Sequence, residues 1–119
     1  MQIKLLNKDQ GIFAFQLDQN NYIKFCPERG GVITNWVSEG KEILYFDEKR
    51  FMDKTKSIRG GIPILFPICG NLNTTNSLFG IDYLQLTQHG FARDLPWKYS
   101  FNEKSLCLSL NESKNTKKY

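Results

Sequence analysis

Two places in this chain hold residue types that could do chemistry. Arg59 stands before Gly60 and Gly61, and His89, the only histidine, stands before Gly90 and four positions ahead of Arg93. A guanidinium presents a planar fork of donors suited to vicinal hydroxyls or to phosphate oxygens. Two glycines directly after it free the backbone to take positive φ and let a ligand come close to the main chain. Residues 62–69, IPILFPIC, follow as an apolar strand with Pro63 and Pro67 fixing its ends, the makeup of a rigid pocket wall. An edge strand preceded by a surface arginine accounts for the same composition. The His89 imidazole can donate to or accept from a ligand oxygen near neutral pH, and a lone histidine is also a common structural hydrogen-bonding group. Asp94 beside Arg93 reads as a solvated ion pair worth little.

The elements that must position these residues are strands. In residues 12–17, Phe13, Phe15 and Leu17 fall on one face, and Ile23 and Phe25 alternate with Lys24 in residues 22–25. Asp18, Gln19, Asn20 and Asn21 make the turn between them. Residues 32–37 are rich in β-branched and aromatic side chains, and residues 42–46 follow the turn at Glu39, Gly40 and Lys41 in the same style. Trp97, Tyr99 and Phe101, then Leu106, Leu108 and Leu110, predict a later hairpin turning at residues 102–104. Only residues 47–54 have an acceptable helix composition, enough for one or two turns. The pattern predicts an all-β fold, an antiparallel β-sandwich or part of a larger one, with residues 1–119 as a single domain.

Between the strand-rich ends, residues 60–92 carry only Asp82 and His89 as ionisable side chains apart from the thiol of Cys69 and the phenol of Tyr83, and hold five of the nine glycines. A connection that long is functional or disordered. Its apolar residues, among them Leu72, Leu78, Phe79, Ile81 and Leu84, argue against disorder.

Sixteen basic against twelve acidic residues give a net charge of +4, but Lys114, Lys117 and Lys118 lie beyond the last acid, Glu112. Residues 1–113 therefore carry thirteen minus twelve, or +1, which argues against a nucleic-acid surface. Arg50, Lys54 and Lys56 read as a solvated charged turn. The longest apolar stretch is interrupted by two prolines and falls far short of a membrane span, so no membrane partner is expected. The N-terminus lacks an apolar run of secretory length, which predicts a cytoplasmic chain. Cys26, Cys69 and Cys107 are an odd number at wide spacing; no disulfide framework or metal site is expected, and all three read as buried free thiols.

Taken together, RGGIPILFPICG at residues 59–70 and QHGFARDLPW at residues 88–97 are far more specific than either alone. They resemble the paired signature of the hexose-6-phosphate mutarotases (glucose-6-phosphate 1-epimerases), in the galactose mutarotase-like, or aldose 1-epimerase, superfamily. ERGGVITNW at residues 28–36 is similar to the early strand entry of these proteins, and NESKNTKKY at residues 111–119 resembles the stretch leading into their next long strand. The resemblance implies the N-terminal portion of a β-supersandwich whose concave face binds a hexose or hexose-6-phosphate and interconverts its α and β anomers without a metal or other cofactor. It implies Arg59, Gly60, His89 and Arg93 at the substrate, with the arginines facing phosphate or ring hydroxyls, His89 on a sugar oxygen, and Gly60 and Gly61 permitting close approach.

Anomerisation needs a base for the C1 hydroxyl proton and an acid for the ring oxygen. The family draws these from a second histidine and a glutamate, with a supporting aspartate, in a region that no residue of this chain matches. No catalytic residue is therefore assigned, and the domain is expected to be incomplete, either a fragment or a half-sandwich that self-associates through exposed strands. The competing reading is a non-catalytic sugar-phosphate-binding β-sandwich module. A small basic domain stacking nucleotides on its aromatic residues is the weakest of the three.

Overall fold

Alternating side chains and short polar turns build a first sheet in chain order. β1 (Gln2–Asn7), β2 (Ile12–Asp18), β3 (Asn21–Cys26), β4 (Val32–Ser38) and β5 (Lys41–Glu42) are joined antiparallel, each to the next. The computed structural model describes residues 2–71 and 86–119, with the backbone of residues 77–78 and 81–82. The expected turn at residues 18–21 is held by the Asp18 carboxylate, which accepts from the Asn20 N–H at 2.7 Å and from the Asn21 side chain at 3.0 Å. Those bonds, the Asn20 N–H first, keep the Asp18 carboxyl below the usual carboxylate range. The β4–β5 turn places Glu39 and Gly40 both at positive φ, 50° and 76°, the twist a tight hairpin needs. β1 is a strand the sequence did not announce. Leu5 and Leu6 are neighbours rather than alternating, and a register shift between Leu5 and Asn7 absorbs the extra residue.

Opposite residues in the register set the two faces of this sheet. Phe13 pairs with Phe25, and Phe15 with Ile23, so their rings share one face. On that face lies a hairpin of β8 (Lys98–Phe101) and β9 (Leu106–Ser109), turning where expected on the Asn102 side chain, which accepts from the Lys104 and Ser105 N–H groups at 2.8 and 2.9 Å. Tyr99 packs 5.1 Å from Phe13 and 5.5 Å from Phe25, ring centre to ring centre, and Phe101 lies 6.5 Å from Phe15. The antiparallel all-β sandwich predicted by the alternation is present, with these aromatic rings as its filling.

The other face carries a second, smaller core. Cys26 and Val32 pack with Phe51 from α1 (Glu48–Met52), and Ile12, Phe46 and Ile58 close around them. The helix is the short one expected in residues 47–54, capped by Asp47, which accepts from the Arg50 N–H at 2.9 Å. β6 (Ser77–Leu78) and β7 (Ile81–Asp82) pair as a small separate ladder. Leu72, Phe79 and Leu84, named above as apolar residues of the long connection, lie outside the described residues.

Three expectations are corrected. The strand expected over residues 42–46 ends at Glu42: the Ile43 N–H still donates to the Trp36 carbonyl at 2.8 Å, but the Glu42 carboxylate takes the Trp36 N–H at 3.0 Å and the Leu44 N–H at 3.2 Å. Residues 62–69 are not a continuous strand. Ile62 exchanges two bonds with Ile33, at 2.8 and 3.2 Å, and the ladder then stops, since Pro63 has no N–H to extend it. Nor do the cysteines share one environment. Cys26 is buried, whereas Cys69 and Cys107 are exposed, Cys107 because it alternates outward between the inward Leu106 and Leu108 of β9. Burial pushes the Cys26 thiol up from its ordinary range, and its Sγ donates to the Gln10 carbonyl at 3.2 Å. With a thiol reagent on the native chain at neutral pH, Cys69 and Cys107 are expected to react at once and Cys26 only after unfolding. Three equally fast thiols would contradict the burial.

Candidate functional site

The geometry begins with two turns that read Arg-Gly-Gly. At the first, between β3 and β4, Gly30 adopts φ 70° and lies so close to the 3₁₀ turn Ala92–Asp94 that a Cβ there would sit 2.2 Å from the Arg93 carbonyl oxygen. The Gly30 N–H donates to Leu95 at 2.9 Å, the Trp97 N–H to Pro27 at 2.8 Å, and the Trp97 indole to the Ala92 carbonyl at 2.8 Å. These bonds lay the HGFARDLPW stretch on the first turn. At the second, a Cβ on Gly60 would sit 2.2 Å from the Tyr45 carbonyl oxygen and one on Gly61 2.4 Å from that of Ile33. The glycines after Arg59 thus admit the protein's own backbone: the Gly61 N–H donates to Tyr45 at 2.7 Å.

Where the two turns meet there is a cleft of about 510 Å³, lined by Gly60 and Gly61, by Arg29 and Arg93, and by Lys54 and Lys56. Four cationic side chains line it against two carboxylates, Glu28 and Asp94, so the lining carries a net charge of +2. An excess of positive charge on the lining favours an anionic occupant.

The four cations are committed to different degrees. Arg29 is a structural strut: it donates to the Phe51 carbonyl at 2.6 Å and the Lys56 carbonyl at 3.2 Å, with its guanidinium 4.4 Å from the centre of the Phe51 ring. Lys54 donates to the Asp9 carbonyl at 3.1 Å, and Lys56 lies 3.6 Å from Asp53. Hydrogen bonds from Thr55, its hydroxyl first, hold the Asp53 carboxyl below the usual range. Arg93 donates from Nη2 to the Gln88 carbonyl at 3.2 Å, while its Nε, shielded from solvent, has no hydrogen bond and lies 4.0 Å from the exposed Asp94 carboxylate.

Of the residues singled out in sequence, Gly60 and Arg93 are brought together on this cleft, whereas the side chains of Arg59 and His89 are not on its lining. Arg59 is exposed, and its carbonyl accepts from the Asp47 N–H at 3.0 Å. His89 is half-buried at φ 66°, with Nδ1 accepting from the Gly70 N–H at 2.7 Å. Arg29 was missed in the sequence, although the word Arg-Gly-Gly occurs there as it does at residues 59–61. Lys54 and Lys56, read above as a solvated turn, form one wall of the cleft. Among the described residues no three His, Cys, Asp or Glu side chains are grouped as a metal ion requires, and no helix is long and apolar enough to cross a membrane.

No family model matches the chain. It is 38% identical over 69 residues, 57% of its length, to a protein of Cenchrus ciliaris named "Putative glucose-6-phosphate 1-epimerase". It is 28% identical over 97 residues, 76% of its length, to a protein of Escherichia coli (strain K12) with the same name. These matches span 18% and 30% of the two relatives, so the chain corresponds to less than a third of either. Among solved structures, Slr1438 protein from Synechocystis sp. PCC 6803 superposes with a TM-score of 0.77 at 43% identity, over 90% of this chain and 39% of that one. HI1317 superposes with a TM-score of 0.55 at 18% identity, over 91% of this chain and 41% of that one, a likeness of fold alone.

Proposed function

Since the chain resembles the hexose-6-phosphate mutarotase family of the galactose mutarotase-like superfamily in sequence and in fold, we propose that it forms the part of an epimerase-like site that binds and orients a hexose-6-phosphate. The observation that carries the reading is the cleft: two words far apart in the sequence, at Gly60 and at Arg93, line one cationic hollow. Its volume falls within the several hundred Å³ common to small-ligand pockets. In this reading the phosphate sits among Arg93, Lys54 and Lys56, the cationic side chains of the cleft. Residues 1–119 belong to one domain, and the acid and base that open and reclose the ring come from groups outside this set. Losing both groups leaves little beyond the sugar's own mutarotation, since each contributes about 10²- to 10⁴-fold.

A second reading is favoured by one observation. His89 is the chain's only imidazole, and one of its nitrogens is already occupied by a backbone N–H. A sugar-phosphate-binding module without catalysis fits that state of affairs. Exchange spectroscopy between the α and β anomers of glucose-6-phosphate separates the two: an enzyme accelerates the exchange, and a binder leaves it unchanged while its own resonances shift. Removing the guanidinium in Arg93→Ala is expected to weaken binding by about 10- to 100-fold, the range for a charge-assisted hydrogen bond. Equal binding by the variant and the parent chain would remove the cleft from the account.

A further inference from the structure

Both cationic walls of the cleft are fastened to one turn. Gly30 receives the first: its N–H donates to the Leu95 carbonyl at 2.9 Å, and it leaves no room for a Cβ against the Arg93 backbone. Arg29, the residue before it, holds the second. Its Nη1 donates to the Phe51 carbonyl at 2.6 Å and its Nη2 to the Lys56 carbonyl at 3.2 Å, so one guanidinium joins the entrance and the exit of the loop that carries Lys54 and Lys56. The fully buried Phe51 ring, 4.4 Å away, fixes the plane of that guanidinium. Other bonds shape the loop internally. The Asp53 carboxylate accepts from the Thr55 N–H at 3.0 Å and from its hydroxyl at 2.6 Å, and the Lys56 N–H donates to the Asp53 carbonyl at 3.1 Å. Arg50 donates to the Ser57 carbonyl at 2.8 Å and to its hydroxyl at 3.0 Å. These bonds all lie within residues 50–57 and do not set where the loop stands relative to Arg93. The Lys54 bond to the Asp9 carbonyl, at 3.1 Å, runs through the same ammonium that an anion would take. The Arg29 bonds instead grip the loop by its backbone.

Exposed lysines add little to binding unless the backbone beneath them is already in place, because ordering long side chains on association costs affinity. A guanidinium can meet two carbonyls along its edges while its face lies on a ring, whereas a lysine ammonium is a point charge without that planar fork. We propose that Arg29 is a positioning residue for anion binding in the cleft: it commits its fork to the loop backbone and, with Gly30, sets the spacing between Arg93 and the wall of Lys54 and Lys56. Its contribution is geometry rather than charge. The anion half of this assignment rests on the sugar-phosphate reading above; the clamp on the loop does not.

The full chain tests both halves. Arg29→Lys keeps the net charge and is expected to speed amide exchange at Thr55 and Lys56 about 10-fold, while the amides of the β2–β3 ladder stay slow. Unchanged exchange in the loop overturns the clamp. The same variant is expected to bind glucose-6-phosphate about 10-fold more weakly at equal ionic strength, the cost of ordering a long side chain on binding. Binding as tight as the parent's overturns the anion half. A double-mutant cycle separates positioning from direct contact. Lys54→Ala/Lys56→Ala removes the wall, and in that background Arg29→Lys is expected to cost no further affinity. A further loss of the same size means that Arg29 holds the anion itself, and overturns the positioning role. In the parent chain, labelled with ¹⁵N, added glucose-6-phosphate is expected to shift the Nζ resonances of Lys54 and Lys56 more than the guanidinium resonances of Arg29. The reverse order overturns the assignment even where a variant fails to fold. A parent chain that leaves glucose-6-phosphate unbound overturns the proposed function, and the anion half with it, with loop exchange in Arg29→Lys still deciding the clamp.

Discussion

Gly30→Ala should cost the fold about 3 kcal/mol or more, the larger part of it from collision rather than from backbone preference. The left-handed conformation at φ 70° disfavours any Cβ by about 1–2 kcal/mol. The added carbon would also sit 2.2 Å from the Arg93 carbonyl oxygen and 2.5 Å from its Cα, both backbone atoms that cannot swing aside. Relieving the overlap means lifting the 93–97 segment, which stretches the Gly30 to Leu95 bond at 2.9 Å and the Trp97 to Pro27 bond at 2.8 Å. Each such bond contributes about 1 kcal/mol net. Gly70→Ala supplies the contrast, because Gly70 has an even larger positive φ of 87° but open space where the Cβ would go. Only the conformational part should appear there, about 1 kcal/mol. Urea unfolding of both variants measures the difference. Equal losses would mean that the approach of Arg93 to the first turn is not a constraint. The same lift would take Arg93 away from the cleft, so Gly30→Ala should also weaken sugar-phosphate binding without altering any charged side chain.

Phe25→Ala is expected to destabilise by about 3–5 kcal/mol, as large aromatic truncations in closed cores do. Its ring is fully buried between Phe13 of the first sheet and Tyr99 of the hairpin, at 5.7 and 5.5 Å. Neither neighbour can fill the space without leaving its own register position. Phe66, 49% exposed and meeting Phe91 edge-on at 6.0 Å, is the control, and its truncation should cost well under half as much. Urea midpoints give the ranking, and near-ultraviolet dichroism should show the Tyr99 environment loosened in Phe25→Ala alone. If Phe66→Ala proved the costlier change, the aromatic layer beneath the β8–β9 hairpin would not be the main support of the sandwich.

These two variants act on different faces of one sheet. The aromatic face around Phe25 holds the hairpin, and the face with Cys26, Val32 and Phe51 carries the small core beneath the cleft. The close approach at Gly30 and the packing of Phe25 therefore separate function from bulk stability. Both lower stability, but only Gly30→Ala touches the backbone that sets Arg93.

The order of residues by itself determined several strands and turns and the resemblance of the two words. Alternation in residues 12–17 and 22–25, and the turn chemistry of Asp18 and Asn102, are local properties, and the structure has β2, β3 and the β8–β9 turn where they predict them. The resemblance carried by residues 59–70 and 88–97 is likewise a matter of order. β1, the early end of β5 and the exposure of two cysteines were not legible, because each depends on a bulge, a side chain replacing a carbonyl, or which side of a strand faces a layer built from elsewhere. The site divides in the same way. Glycine after Arg59 is a residue type that permits close approach, but whether the visitor is a ligand or the Tyr45 and Ile33 carbonyls is decided only in three dimensions. Tertiary structure also turned Lys54 and Lys56 from a charged turn into a cleft wall, and committed Nδ1 of His89 to Gly70. Periodicity and turn preference act over a few bonds and are written into the chain; the meeting of Gly60 with Arg93 acts through space, and exists only once the first turn has received the segment that carries Arg93.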